Sequence, residues 1–86
     1  MTRYRIYTEH KHPKMLRLLV KKCFDAVTEF RGRGLWKGKA EKSVVFEIIG
    51  PSYLEKKVLE CARIIKRENE QDAVLVTREL IEEVLI

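Results

Sequence analysis

No stretch of this 86-residue sequence approaches the roughly 20 consecutive apolar positions of a membrane span, and the N-terminus lacks a leader's charged start and apolar run of roughly 7 to 15 residues. The chain therefore reads as soluble and cytoplasmic. Cysteine is equally scarce. Cys23 and Cys61 are too few for a disulfide scaffold and lack the C-x-x-C spacing of a zinc or redox site. Both are expected to be small core hydrophobes in a reducing compartment, with a disulfide between helices as the alternative. Neither G-x-x-x-x-G-K-[ST] nor G-x-G-x-x-G occurs, so the two common glycine-rich phosphate cradles are excluded. His10 and His12, beside Glu9, have no evident further ligand, so no metal is expected. Nucleophilic pairings of the Ser/His/Asp or Cys/His kind are missing, and Glu79, Glu82 and Glu83 read as helix surface. The expectation is a non-enzymatic protein without a cofactor.

What is present is the material of one folded domain spanning residues 1–86. The composition is 45% hydrophobic and 36% charged, with four glycines and two prolines, too apolar and too free of low-complexity runs for a disordered chain. A domain of 10.2 kDa buries only about 60 to 65% of the surface its unfolded chain exposes, so contact with a partner subunit is expected to help. The net charge of +5 is uneven: residues 1–42 hold 12 Lys/Arg against 4 Asp/Glu, and residues 43–86 hold 6 against 9. Such asymmetry fits either a polyanion-binding face or self-association between the basic half of one copy and the acidic half of another. Asn69 and Gln71 are the single Asn and the single Gln, a scarcity that suits a thermophilic source.

Alternation over Arg3–Thr8 predicts a half-buried first strand. Pro13 suits a first helical position, and Met15, Leu16, Leu19, Val20 and Cys23 recur at helical steps, leaving Lys14, Arg17, Lys21 and Lys22 as a basic stripe. Residues 26–31 form a second, poorly alternating strand. Lys42–Ile49, apolar on both faces, predicts a central third strand stopped by Gly50-Pro51. Ser52 and Glu55 have the spacing of a capping box, opening a second helix with Leu54, Val58, Cys61, Ala62 and Ile65 inward and Asn69 as its stop. Ala73–Thr77 predicts a fourth strand. Thr77 then caps a short C-terminal helix lined by Leu80, Ile81, Val84 and Leu85, or residues 83–86 add a closing strand. This β-α-β-β-α-β order predicts an α+β, ferredoxin-like sandwich: a four-stranded antiparallel sheet, the first and third strands central, with two helices on one face.

Two places then become candidates for function. On the uncovered sheet face, Arg3, Arg5 and Tyr7 join Val45, Glu47, Ile49 and Leu75, a surface apolar enough that the C-terminal helix, a second copy or a ligand should cover it. The other is Arg31-Gly32-Arg33-Gly34-Leu35-Trp36-Lys37-Gly38-Lys39, longer than a hairpin turn requires, with glycines, cations and the only tryptophan. The preferred reading is an oligomeric binding or regulatory module, dimeric or trimeric. Tyr7, Val45, Ile49, Leu75 and Trp36 would lie at its interface, with an anionic ligand near the boundary. The alternative is a nucleic-acid-binding module using Arg3, Arg5, Tyr7, Arg31, Arg33, Trp36, Lys37 and Lys39.

The element order, together with Trp36-Lys37-Gly38-Lys39-Ala40-Glu41 leading into the long third strand, resembles the CutA and PII-like group of small ferredoxin-like signalling proteins. The resemblance spans residues 3–85 in topology and 36–49 in motif. It implies trimers in which the second and third strands extend at the subunit boundary. The nucleotide-binding segments of PII proteins have no counterpart here, so what the resemblance implies is assembly.

Overall fold

The computed structural model describes residues 1–86. The chain runs through strand β1 (Thr2–Glu9), helix α1 (Pro13–Cys23), strands β2 (Thr28–Trp36) and β3 (Lys39–Gly50), a 3₁₀ turn (Ser52–Leu54), helix α2 (Glu55–Glu68) and strand β4 (Leu75–Leu80). The strands form one antiparallel sheet in the order β2-β3-β1-β4. This is a ferredoxin-like α+β arrangement, with β1 and β3 in the middle. No helix is long and apolar enough to cross a membrane.

Alternation builds the core. Tyr4 and Ile6 of β1 and Val44, Phe46 and Ile48 of β3 share one face of the sheet. Leu16 and Val20 of α1 and Val58, Cys61, Ala62 and Ile65 of α2 pack against them in one cluster, so both helices lie on that face. Each large buried apolar side chain contributes about 1.5 to 3 kcal/mol, offset by the entropy of ordering the chain.

The end of α2 is secured by polar contacts. Asn69 caps it, Glu70 takes a left-handed φ of 51°, and the Gln71 N–H returns to the Lys66 carbonyl at 3.0 Å, closing the helix with a Schellman pattern. The buried Asn69 amide donates to Thr8 Oγ1 (3.1 Å), the Glu9 carbonyl (2.9 Å) and Gln71 Oε1 (2.8 Å), tying the helix end to the end of β1.

Several boundaries differ from the sequence expectation. The excursion between β2 and β3 is a hairpin: β2 continues to Trp36, β3 begins at Lys39, and the two-residue turn Lys37-Gly38 joins them. Positive φ values of 50° and 77° give that turn the twist that hairpins favour. The Arg-Gly-Arg-Gly run obscures the strand, because glycine removes the alternation by which strands are read. Ser52 starts a 3₁₀ turn and forms no side-chain cap, so the capping box is absent. The Glu55 carboxylate instead pairs with Arg78.

The C-terminal helix does not form. Thr77 lies within β4, paired opposite Arg5, because residues 75–80 complete the backbone hydrogen bonding along the free side of β1. The Ile81 N–H adds one bond to the Met1 carbonyl at 3.1 Å, and residues 81–86 have no regular structure, so the closing strand at 83–86 is absent too. The two cysteines are free, with Cys61 buried and Cys23 partly so.

Candidate functional site

The face of the sheet opposite the helices is built by register. Leu75, Tyr7, Val45 and Phe30 stand side by side across β4, β1, β3 and β2, an apolar row spanning all four strands. The next row is Thr77, Arg5, Glu47 and Thr28, and beyond it lie Glu79, Arg3 and Ile49. Phe30 remains 48% exposed, Ile49 47% and Leu75 59%. Nothing in the chain covers them. The tail expected to do so leaves Val84, Leu85 and Ile86 exposed as well.

Beside the apolar row, four charges pair off. The Glu47 carboxylate, mostly sheltered, lies 3.8 Å from Arg3 Nε and 3.6 Å from Arg5 Nε, and Arg3 reaches Glu79 at 3.1 Å. The Tyr7 hydroxyl first, and then Glu47, hold the Arg5 guanidinium protonated above its ordinary range against partial desolvation. Two guanidiniums thus face two carboxylates, and these four charges cancel one another.

The structure divides the residues singled out from sequence between two sides. Arg5, Tyr7, Val45, Ile49, Leu75, Trp36 and Lys39 belong to the open face, with Trp36 and Lys39 paired at its far end. Arg31 and Arg33, at the alternate positions of β2, belong to the helix side, while Lys37 occupies the turn. The expected nine-residue loop therefore does not gather its cations around one ligand. Nor are the glycines an anion cradle: Gly32 and Gly34 pair with Ser43 and Glu41 within the β-ladder. Phe30 was missed from sequence, since its strand showed little alternation. Extending β2 to Trp36 places every even-numbered residue beside the Val45 face.

On the helix side, Glu29 receives both Arg17 Nε (3.0 Å) and Arg17 Nη2 (3.1 Å), and Arg31 Nε lies at 3.3 Å. The hydrogen-bonded Arg17 holds the Glu29 carboxyl below its ordinary range, desolvation opposes this, and Arg31 assists. A shallow cleft of about 290 Å³ lies at the β4 edge near the start of α2, lined by Thr2, Tyr4, Ser52, Glu55, Arg78, Glu79 and Leu80. The Tyr4 hydroxyl donates to the Ser52 carbonyl at 3.2 Å behind it. His10 and His12 flank the loop before α1, and no group of three or more His, Cys, Asp or Glu converges anywhere in the chain.

The sequence matches no protein-family model, and no curated protein matches it. Solved structures do match in shape. A phage SAM lyase in its apo state superposes with a TM-score of 0.73 at 15% identity, covering 91% of this chain and 78% of that one. A DUF3240 family protein from Shewanella baltica OS155 gives 0.78 at 8% identity, covering 99% and 93%. The PII-like protein CutA from Nostoc sp. PCC 7120, in apo form, gives 0.72 at 14% identity, covering 95% and 82%. The first of these corrects the expectation of a non-enzymatic protein: a lyase is built on this same fold, so missing sequence motifs do not exclude catalysis. The expected resemblance is present in three dimensions, and the chain has the fold of the small CutA and PII-like ferredoxin-like group.

Proposed function

We propose that the chain is the protomer of a homo-oligomeric ligand-binding or regulatory module whose copies meet through the open sheet face. The observation that carries this reading is the uncovered row Leu75, Tyr7, Val45 and Phe30, on a face whose charges cancel among Arg3, Arg5, Glu47 and Glu79. An apolar patch of that extent is costly in water, and charges already paired beside it within one copy do not oppose the approach of a second. The basic helical side cannot do so. Trp36 and Lys39 stand at the rim of the contact, where an anionic small ligand would meet a cation and an indole together. The resemblance to the CutA and PII-like group supports a trimer over a dimer.

Sedimentation of the purified chain tests the reading: a mass that is a multiple of 10.2 kDa is expected, and a strict monomer at high micromolar concentration overturns it. A native mass spectrum of the same material reads out any co-purified small molecule. Incubation with SAM, followed by analysis for cleavage products, tests in parallel whether the activity of the lyase with this fold is shared.

A further inference from the structure

We propose that the helical side of the molecule binds the phosphate backbone of duplex nucleic acid, through the exposed cations of α1 and α2 and their continuation onto the β2-β3 ribbon at Arg31, Arg33 and Lys42. The helices hold nine Lys/Arg against three carboxylates, a net +6 in a chain whose total is +5, so the rest of the molecule is slightly acidic. All nine are exposed, and only Arg17 and Arg67 have a carboxylate within ion-pairing distance.

The geometry makes these charges continuous. Glu29 joins Arg17 of α1 to Arg31 of β2, carrying the helix stripe onto the strand. Alternation then sets Arg33 and Lys42 on that same side, directly opposite one another in the ladder. Like charges in that position destabilise a strand pair, and neither has a carboxylate partner. A bound polyanion relieves that repulsion. Pairing of β3 with β1 ends at Ser43, with one further bond from the His10 N–H to the Lys42 carbonyl at 3.1 Å, so the three rungs from Gly34↔Glu41 to Trp36↔Lys39 extend beyond β1 as a two-stranded ribbon, its turn residue Lys37 lying 3.9 Å from Asp72. A two-stranded β-ribbon is of a size that B-DNA's major groove admits.

The same features decide the class of partner. A membrane surface engages amphipathic helices by their apolar faces, and here Leu16, Val20, Val58 and Ile65 are spent on the protein's own core. A phosphate backbone needs only the cations. A second copy is repelled by a side this positive. The inference is independent of the self-association proposed above, which uses the opposite face.

The test is fluorescence anisotropy of a labelled duplex DNA titrated with the whole protein at about 50 and about 200 mM salt. Saturable binding at the lower salt is expected, with a loss of about 10³-fold in affinity at the higher, the signature of roughly six phosphate contacts. The double variants Arg31→Gln/Arg33→Gln and Lys14→Glu/Lys21→Glu should each flatten the log–log salt slope by about 2, near 0.9 per contact. Circular dichroism confirms that each variant is folded. Absence of binding at low salt, helical-side variants with unchanged slopes, or capture by phosphatidylserine vesicles without duplex binding would each overturn the proposal.

Discussion

Replacing Phe30 with Asp isolates the contribution of the open face to assembly, because Phe30 lies on an edge strand and is already 48% exposed in the protomer. A fully buried aromatic removes roughly 200 Å² from water, so about 100 Å² of Phe30 remains to be covered by a second copy. At about 25 cal/mol per Å² that is about 2.5 kcal/mol per protomer. A contact burying Phe30 from both copies therefore gains about 5 kcal/mol, an upper figure that corresponds to a few thousand-fold in Kd. The introduced carboxylate adds the cost of dehydrating a charge. Sedimentation velocity across micromolar to high micromolar concentrations should show the oligomer for the natural chain and 10.2 kDa for Phe30→Asp. Urea unfolding should show that the variant protomer remains folded. A folded Phe30→Asp protein that keeps the natural assembly mass refutes the reasoning.

Removing the amide that closes α2, in Asn69→Ala, strips a donor from three acceptors and should cost about 2 to 3 kcal/mol. For a domain of this size that lowers Tm by roughly 10 to 20 °C, read by thermal circular dichroism, and a drop of only a few degrees would show the contacts to be dispensable. The Glu29 carboxyl, held below its ordinary 4.5 by Arg17, contributes stability that is fully present above that value and lost as pH falls through its lowered value in the fold. The Tm difference between the natural chain and Arg17→Met should accordingly be largest at neutral pH and vanish towards pH 2; a difference that is constant with pH counts against the ion pair. Burial first, and then its neighbour Cys23, push the Cys61 thiol up to about 12. At pH 8 the native protein should therefore offer no more than one thiol to a disulfide reagent, and the unfolded protein two. Rapid modification of Cys61 in the folded chain would contradict that burial.

Much of the fold was legible in the residues themselves. The buried faces of both helices, the central place of the Val44–Ile48 segment and the Asn69 stop follow from periodicity and capping, which are local properties of the chain. Where local signals compete with pairing, the reading failed. Thr77 has the chemistry of a helix cap, yet the free edge of β1 offers residues 75–80 a full set of backbone partners, and the strand prevails. Ser52 and Glu55 have the spacing of a capping box, yet Arg78, brought near by β4, takes the carboxylate.

The candidate surfaces divide in the same way. Composition and spacing alone determined that the chain is basic in its first half, that Lys14, Arg17, Lys21 and Lys22 share one stripe, and that one side of the sheet is apolar. Only the tertiary structure decided which side each cation occupies. A strand sends successive side chains to opposite faces, so assigning Arg31 and Arg33 to the helices and Phe30 and Trp36 to the open sheet depends on where β2 begins and ends. Cross-strand pairing, a contact between residues distant in sequence, sets those limits.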